Sequence, residues 1–435
     1  MMDVFLNRPL NILIFPGGTE NGLEILKSLR NLKEINVFGA TSDTVNHTEY
    51  VFKNVAKVSN VNDPIWIQEI NKIVLLHSID LIFPANSLVI DALNDARDKI
   101  DTEILLPSYE TIQSTRSKKK TLELLNGLLP TPKIFANKVD IKKYPLFVKP
   151  NKGYGSQGSK KIEKPHELEL FHFGDDFLVQ EFLSGDEYTV DCFSDFNNNL
   201  LYASGRTRER IRMGTSMHSC DATTEMQEIF SEYANIINEK FNISGAWFFQ
   251  LKKDSRGVLK LLEVDIRIAG TMALNRVKGV NFPFLSILNH LGCDVKVLYN
   301  NFYVEIDRSL ANRYKHNIEF DAVYIDLDDT IIVKQRVNLI VIRFLFQCLN
   351  QGKKIILVSK SLEHDKLAYL EKWRIREIFD EIYWLNECES KASYIKDKKA
   401  IFIDDSFSQR LDVYKKLNIL TFDSSMLEVL LDDRS

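Results

Sequence analysis

The stretch Leu146–Ile162, LFVKPNKGYGSQGSKKI, decides how the first two thirds of the chain are read. A β-rich run ends in Lys149-Pro150, and Gly153, Gly155 and Gly158 then alternate with Ser156 and Ser159. Glycines let successive backbone N–H groups converge on a polyphosphate, serine hydroxyls add donors, and Lys149 supplies a compact cation. No G-K-[ST] closes the loop, so it is not a Walker loop. Taken alone, it reads equally well as a flexible glycine-rich hairpin.

The residues that follow shift that balance. In FLVQEFLSGDEYTVDCFSD, Phe177–Asp195, an apolar strand ends at Glu181, and Gly185-Asp186-Glu187 precedes an alternating one. Free backbone groups beside Glu181 would suit an adenine, and Glu187 would suit ribose hydroxyls. Farther on, GAWFFQLKKDSRGVLKLLEVDIRIAG, Gly245–Gly270, carries Gln250 on one strand and Glu263 and Asp265 on the next. The Asp254–Gly257 turn makes them a hairpin. Alternation puts Glu263, Asp265 and Arg267 on one face, where oxygen ligands would suit Mg²⁺ together with substrate phosphates. Two acids on a strand more often form a solvated face. These, however, interrupt an apolar segment that follows a phosphate loop.

Upstream, NILIF (Asn11–Phe15) leads into Pro16-Gly17-Gly18 and a helix from about Asn21 to Leu29. INVFGA, LIFPAN and EILLPS continue a βαβ rhythm, which predicts a parallel sheet with sites at its carboxyl strand ends. G-x-G-x-x-G cannot be drawn here, so a nicotinamide dehydrogenase is a poor reading. A basic helical stretch between Thr111 and Pro132 carries Lys118, Lys119 and Lys120.

In this order the residues resemble the ATP-grasp superfamily, within it the carboxylate–amine ligases related to carbamoyl phosphate synthetase. The resemblance spans roughly Asn11 to Asn301. It implies ATP contacts from Lys118, Lys149, Gly155, Ser156, Gly158, Ser159, Glu181, Leu183 and Glu187. It implies metal ligands at Gln250, Glu263 and Asp265, with Mg²⁺ or Mn²⁺ as the ion, and a catalytic role for Arg267. The family has Asn where this chain has Asp265, which adds one negative charge. The implied reaction activates a carboxylate as an acyl phosphate, which a nucleophile, usually an amine, then displaces. Between these strands GRTRERIRMGTSMHS holds Arg206, Arg208, Arg210 and Arg212 in alternation, which predicts a one-sided patch for an anionic substrate. His218 reads more readily as structural than as catalytic.

In the last third, FDAVYIDLDDTII is an apolar strand ending in Asp326-x-Asp328-x-Thr330, and such paired acids are costly unless they bind metal or do chemistry. KIILVSKS ends in Ser359, Lys391 stands at a helix start, and AIFIDDS carries Asp404 and Asp405. A helix around Arg336–Asn350 and another before AIFIDDS complete a second βα series. Order and spacing resemble the haloacid dehalogenase (HAD) superfamily over Phe320 to about Phe422. The resemblance implies Asp326 as nucleophile and Asp328 as acid and base. It further implies Ser359 and Lys391 on the phosphate, and Mg²⁺ on Asp326, Asp328, Asp404 and Asp405. Gaps of 33 and 32 positions between Asp326, Ser359 and Lys391 leave no room for a large cap. A scaffold role for this domain is the bland alternative.

The expected architecture is α/β and α+β in several domains. A βαβ domain covers 1–110, an ATP-grasp domain 111–306, a polar linker 307–319 and a Rossmann-like HAD domain 320–435. Composition agrees: 435 residues, 45% apolar and 27% charged, are ordinary for globular domains. A net charge of −4 gives no whole-chain case for nucleic acid or an anionic membrane. Five scattered cysteines without a C-x-x-C pair fit a reducing compartment, and the start has no signal-peptide pattern, so a cytoplasmic location is expected. The predicted function is bifunctional, ATP-dependent ligation of a small carboxylate plus hydrolysis of a phosphoester. The expected partners are a carboxylate, an amine or other nucleophile, and that phosphoester, and a homo-oligomer stays open. A kinase that stops at a phosphorylated product, or an ATP-gated sensor or assembly module, are the alternatives.

Overall fold

The structure is a computed structural model that describes residues 8–42, 45–153, 157–171, 173–212, 214–360 and 366–434. The chain divides into one compact unit ending at Leu310 and another starting at Ala311.

The first unit opens with five parallel strands, β1 (Leu10–Phe15), β2 (Ile35–Thr41), β3 (Asn54–Lys57), β4 (Leu81–Pro84) and β5 (Glu103–Ile104), in the order β3-β2-β1-β4-β5. The central β1 has Ile12, Leu13 and Ile14 fully buried, because a parallel sheet covered on both faces demands an uninterrupted apolar run. Thr19 caps the helix Glu20–Leu29 by accepting from the Gly22 N–H, and Asn86 caps the helix Ser87–Asp95 by accepting from Val89. These caps start both helices at the carboxyl ends of the paired strands β1 and β4. The edge strand β3, of sequence NVAK, has no apolar run and was not foreseen.

Three further sheets complete this unit. Strands β6 (Leu146–Pro150), β7 (Lys160–Ile162) and β8 (Phe177–Glu181) run in the order β7-β6-β8 over a small core of Leu146, Val148, Ile162 and Val179. Next come β9 (Glu187–Ser194), β10 (Leu200–Thr207), β11 (Arg210–Arg212), β12 (Thr215–Cys220), β13 (Gly245–Lys253), β14 (Leu259–Asp265) and β15 (Glu305–Asp307). They form an antiparallel sheet β10-β9-β13-β14 and a smaller one, β11-β12-β15. The helix Thr224–Phe241 lies on β9 and β10. Two expectations are corrected here. The arginine segment is not one strand, because β10 ends at Thr207 and β11 joins a different sheet. Asp307 is paired with His218 rather than free in a linker.

The second unit is a five-stranded parallel sheet. Its strands are β16 (Ala322–Ile325), the small hairpin β17 (Ile332–Val333) and β18 (Arg336–Val337), β19 (Lys354–Ser359), β20 (Glu381–Trp384), β21 (Ala400–Ile403) and β22 (Leu420–Phe422). The main sheet order is β20-β19-β16-β21-β22, and all four residues of the central β16 are buried. The helix expected from about Arg336 starts at Leu339, because Arg336 and Val337 pair back on Val333 and Ile332. Before β21 there is only the short turn of helix Lys391–Tyr394, since KASYIKDKK offers too few apolar residues for a longer one. Among the described residues no helix is long and apolar enough to cross a membrane.

Candidate functional site

Register builds the first site. Arg206, Thr189, Gln250 and Glu263 are successive cross-strand partners, one from each strand of the antiparallel sheet β10-β9-β13-β14. Directly opposed residues of an antiparallel sheet share a face, so this row forms a floor, and all four residues line a cavity of about 340 Å³. Lys149, at the end of β6, is buried and donates from Nζ to the Leu262 carbonyl at 2.8 Å. Burial pushes its pKa down to about 8, against the pull of Glu263. Of the three consecutive lysines, Lys118 is the one that lines the cavity. Its Nζ donates to the Gly153 carbonyl at 3.1 Å and lies 3.8 Å from Glu263. Asn151 fixes that register, accepting from the Ser117 hydroxyl at 3.1 Å and the Lys119 N–H at 2.9 Å, while Lys119 points to Asp175.

Several expected site residues lie outside the cavity, and others line it already paired. Asp265 is absent from the cavity wall; its Oδ2 lies 2.9 Å from Arg267 Nε and 3.2 Å from the Ser87 hydroxyl. It therefore orients Arg267, which does line the cavity, and Gln250 and Glu263 are left as the oxygen pair. Arg206 is tied to buried Asp191 through two hydrogen bonds of 2.8 and 3.2 Å, and its Nη1 has no partner among the described residues. Arg208 and Glu187 both line the cavity; Arg208 Nε sits 2.7 Å from Glu187, which also accepts from Lys252 at 3.1 Å, so Glu187 is already neutralised twice. Arg210 and Arg212 do not line the cavity, because β11 carries them away, and Arg210 pairs with Asp307 at 2.7 Å. Neither Glu181 nor Leu183 lines it. The strand edge expected to be free at Glu181 is occupied, since its N–H donates to the Lys133 carbonyl and its side chain accepts from Lys133 N–H and Lys260. Gly155 and Ser156 lie outside the described residues. Ser159 lines the wall, and Gly158, at φ +72°, makes the turn beside it. His218 is held between Glu209 and Glu305 at 2.8 and 2.7 Å, a structural clamp that raises its pKa.

Sequence reasoning missed the far wall. Glu20, Asn21, Asn86 and Ser87 line the cavity from the two capped helix starts, and Arg267 donates to the Ser87 hydroxyl at 2.9 Å. Their signal was the position of PGG and LIFPAN at carboxyl strand ends. Arg308, 3.3 Å from Glu20, also lines it and had no signal, lying in what read as linker.

In the second unit, Asp326 follows β16, Ser359 ends β19, Lys391 opens a helical turn, and Asp404 and Asp405 follow β21. The buried Lys391 Nζ is 2.6 Å from both Asp326 Oδ1 and Asp404 Oδ2. Carboxylate oxygens of Asp326, Asp404 and Asp405 all lie within 4.8 Å of one another. Burial lifts Asp326 to about 6 and raises Asp404 as well, with Lys391 opposing both. The Ser359 hydroxyl is buried with no hydrogen-bond partner among the described residues. Asp328 does not join the carboxylate cluster; it is more exposed and bridges to Ile332. Thr330, part of the strand-end motif but given no role from sequence, accepts at its hydroxyl from the Asp405 N–H at 2.9 Å; Arg410, which was not foreseen, donates to the Asp404 and Asp405 carbonyls.

Residues 173–308 match a family model described as "ATP-grasp in the biosynthetic pathway with Ter operon". Among solved structures, one similar chain is the biotin carboxylase domain of Hydrogenobacter thermophilus 2-oxoglutarate carboxylase, solved with MgADP, ADP and bicarbonate. Identity is 16%, the TM-score 0.57, and the match covers 68% of this chain and 73% of that one. Another is an L-amino acid ligase from Bacillus licheniformis, at 19% identity and TM-score 0.51, covering 66% and 75%. A third, N5-carboxyaminoimidazole ribonucleotide synthetase in complex with ADP, gives 11% identity and TM-score 0.54, covering 67% and 79%. The four-strand floor, the glycine loop after β6 and the leading parallel sheet thus belong to a chain with an ATP-grasp fold.

Proposed function

We propose that the first unit is an ATP- and Mg²⁺-dependent ligase that activates a small carboxylate and transfers it to an amine or other nucleophile. The observation that carries this reading is convergence: Lys118, Lys149, Gln250 and Glu263, from four separate elements, and Arg267, just past the end of β14, border one cavity of about 340 Å³. Two cationic Nζ groups beside a glycine loop match the β- and γ-phosphates of ATP. Gln250 and Glu263 offer oxygens side by side, a donor set that fits Mg²⁺, which keeps waters and phosphate oxygens as its other ligands. Bound there, the ion would neutralise phosphate charge. A carboxylate oxygen attacks the γ-phosphorus and ADP leaves; the nucleophile then attacks the acyl carbon and inorganic phosphate leaves. Lys149 and Lys118 hold the phosphates, and Arg267, fixed by Asp265 and Ser87, faces the charge that develops.

The second unit is read as a phosphohydrolase of the HAD kind. Supporting this are the strand-end placement of Asp326, Ser359, Asp404 and Asp405, the Lys391 amine set between Asp326 and Asp404, and the Ser359 hydroxyl, unpartnered among the described residues, which a phosphate oxygen would satisfy. The clustered oxygens of Asp326, Asp404 and Asp405 fit a hard divalent ion such as Mg²⁺. Asp326 attacks phosphorus and the alcohol leaves with a proton from Asp328, which then takes a proton from the water that releases phosphate.

The test is a screen of small carboxylates and amines for ADP release, run on Asp326→Asn so that hydrolysis cannot erase phosphorylated products. ADP release that requires both a carboxylate and an amine supports the ligase. Release that needs only one phosphoryl acceptor would replace it with a kinase.

A further inference from the structure

A second cavity, of about 230 Å³, lies in the first unit. It is bounded by the end of β4, the segment after β5, the start of β13, the Ile266–Ile268 segment and the helix Phe282–His290. Its walls are largely apolar, with Phe83, Ile90, Ile266 and Ile268 prominent, and the half-exposed Phe196 among its lining residues. Two of its lining residues carry anomalous polar atoms. Ser286 and Asn289, three residues apart on one helix face, are 2% and 4% exposed, yet Ser286 Oγ and Asn289 Oδ1 have no hydrogen-bond partner among the described residues. The Asn289 amide N–H₂ donates to the Ser244 hydroxyl at 2.9 Å, which leaves Oδ1 as the unused acceptor. Buried polar atoms without partners are rare and costly, and two of them in one apolar cavity mark a place that a ligand completes.

Size and charge narrow that ligand. An apolar cavity of roughly 150 Å³ holds benzene, so this one accommodates a ring with several further atoms. The Arg267 guanidinium in its wall is already matched by Asp265 at 2.9 Å, and His290 lies 3.5 Å from Glu103. A carboxylate or phosphate would find no free guanidinium there and an ammonium would find no lining carboxylate, so the ligand is neutral. It must bring an N–H or O–H to Asn289 Oδ1 and leave the Ser286 hydroxyl room to donate or accept.

We propose that this cavity is a binding site for a neutral aromatic molecule with one hydrogen-bond donor on its edge, and that occupancy is sensed by the nucleotide site through Arg267. Arg267 lines both cavities, so a ligand packed against it in the second alters how it is held toward Ser87 and the first. The coupling rests on the nucleotide reading above; the binding does not.

Three probes with a donor (indole, phenol and benzamide) and their donor-free counterparts (N-methylindole, anisole and N,N-dimethylbenzamide) are titrated into the full chain without nucleotide, with binding read by calorimetry and NMR. At least one donor-bearing probe should bind saturably at one site, at least tenfold tighter than its methylated counterpart. In Asn289→Leu that preference should collapse, while Ser286→Ala should weaken binding more mildly. No saturable binding by any probe, or equal binding of methylated and unmethylated forms in the wild type, would overturn the site. MgADP affinity is then measured with and without the bound probe, and a shift of threefold or more is expected. Unchanged MgADP affinity at saturating probe would refute the coupling alone. Absence of any MgADP binding would instead refute the nucleotide reading, with the probe result unaffected.

Discussion

Lys149 holds a cation largely shielded from solvent, and the consequence is measurable. Its pKa falls from an ordinary 10.5 to about 8, so between those values the folded chain binds fewer protons than the unfolded one, and stability rises with pH across that window. Below pH 8 both states are protonated and the full cost of burying the charge is present. Lys149→Met should therefore stabilise the free protein at pH 7, with the gain fading as pH rises from 8 to 10.5. It should also lower ATP turnover by an order of magnitude or more. Urea denaturation at several pH values, paired with an ADP assay, checks both, and equal stability at pH 7 would contradict the assigned cost. Glu263→Gln should keep the fold and lose at least tenfold in rate, each tenfold being about 1.4 kcal/mol of barrier. At this scale the sequence was readable wherever a residue sat in a patterned neighbourhood. Lys118, Lys149, Gln250, Glu263 and Arg267 could be found so. Arg308 could not, because its place comes from its N–H donating to the Met217 carbonyl, a contact 91 positions back in the chain.

Strands and helices constrain each other through single positions. Gly205 on β10 faces Phe230 of the helix Thr224–Phe241 so closely that an added Cβ would collide with the ring. Gly205→Ala should cost about 1–3 kcal/mol of stability through overpacking, read as a shift in the urea midpoint. An unchanged midpoint would mean the helix lies farther off. The sheet β11-β12-β15 is tied differently, by His218 between Glu209 and Glu305. These carboxylates raise its pKa, led by the hydrogen bond to Glu305, so the clamp is full below the ordinary value of 6.5 and is lost as pH rises through the raised one. Hydrogen exchange at Glu305–Asp307, corrected for intrinsic rates, should lose protection over that rise. His218→Asn should remove the pH dependence, and a flat profile in the wild type would count against the clamp. Elements were legible by their apolar runs, as for β1 and β16. They were illegible where pairing alone makes a strand: β3 is held by β2, and β15 by β12. The same cause split the four arginines, since alternation of side chains does not reveal that the chain changes sheets after Thr207.

For the whole molecule, the boundary at Leu310 separates the two sites completely: every residue of the first cavity precedes it, and Asp326 to Asp405 follow it. A chain ending at Leu310 should keep MgADP affinity within a few-fold of the full chain, and loss of affinity in a folded truncation would place part of the site elsewhere. The complementary piece from Ala311 should hydrolyse an aryl phosphate with Mg²⁺ and lose that activity in Asp326→Asn. The central claim is that the first unit spends ATP on activating a carboxylate. Its most direct test is positional isotope transfer: a carboxylate labelled with ¹⁸O, incubated with ATP, an amine and the Asp326→Asn chain. Activation through an acyl phosphate predicts one ¹⁸O in the inorganic phosphate released with each amide, whereas phosphate free of label would contradict it.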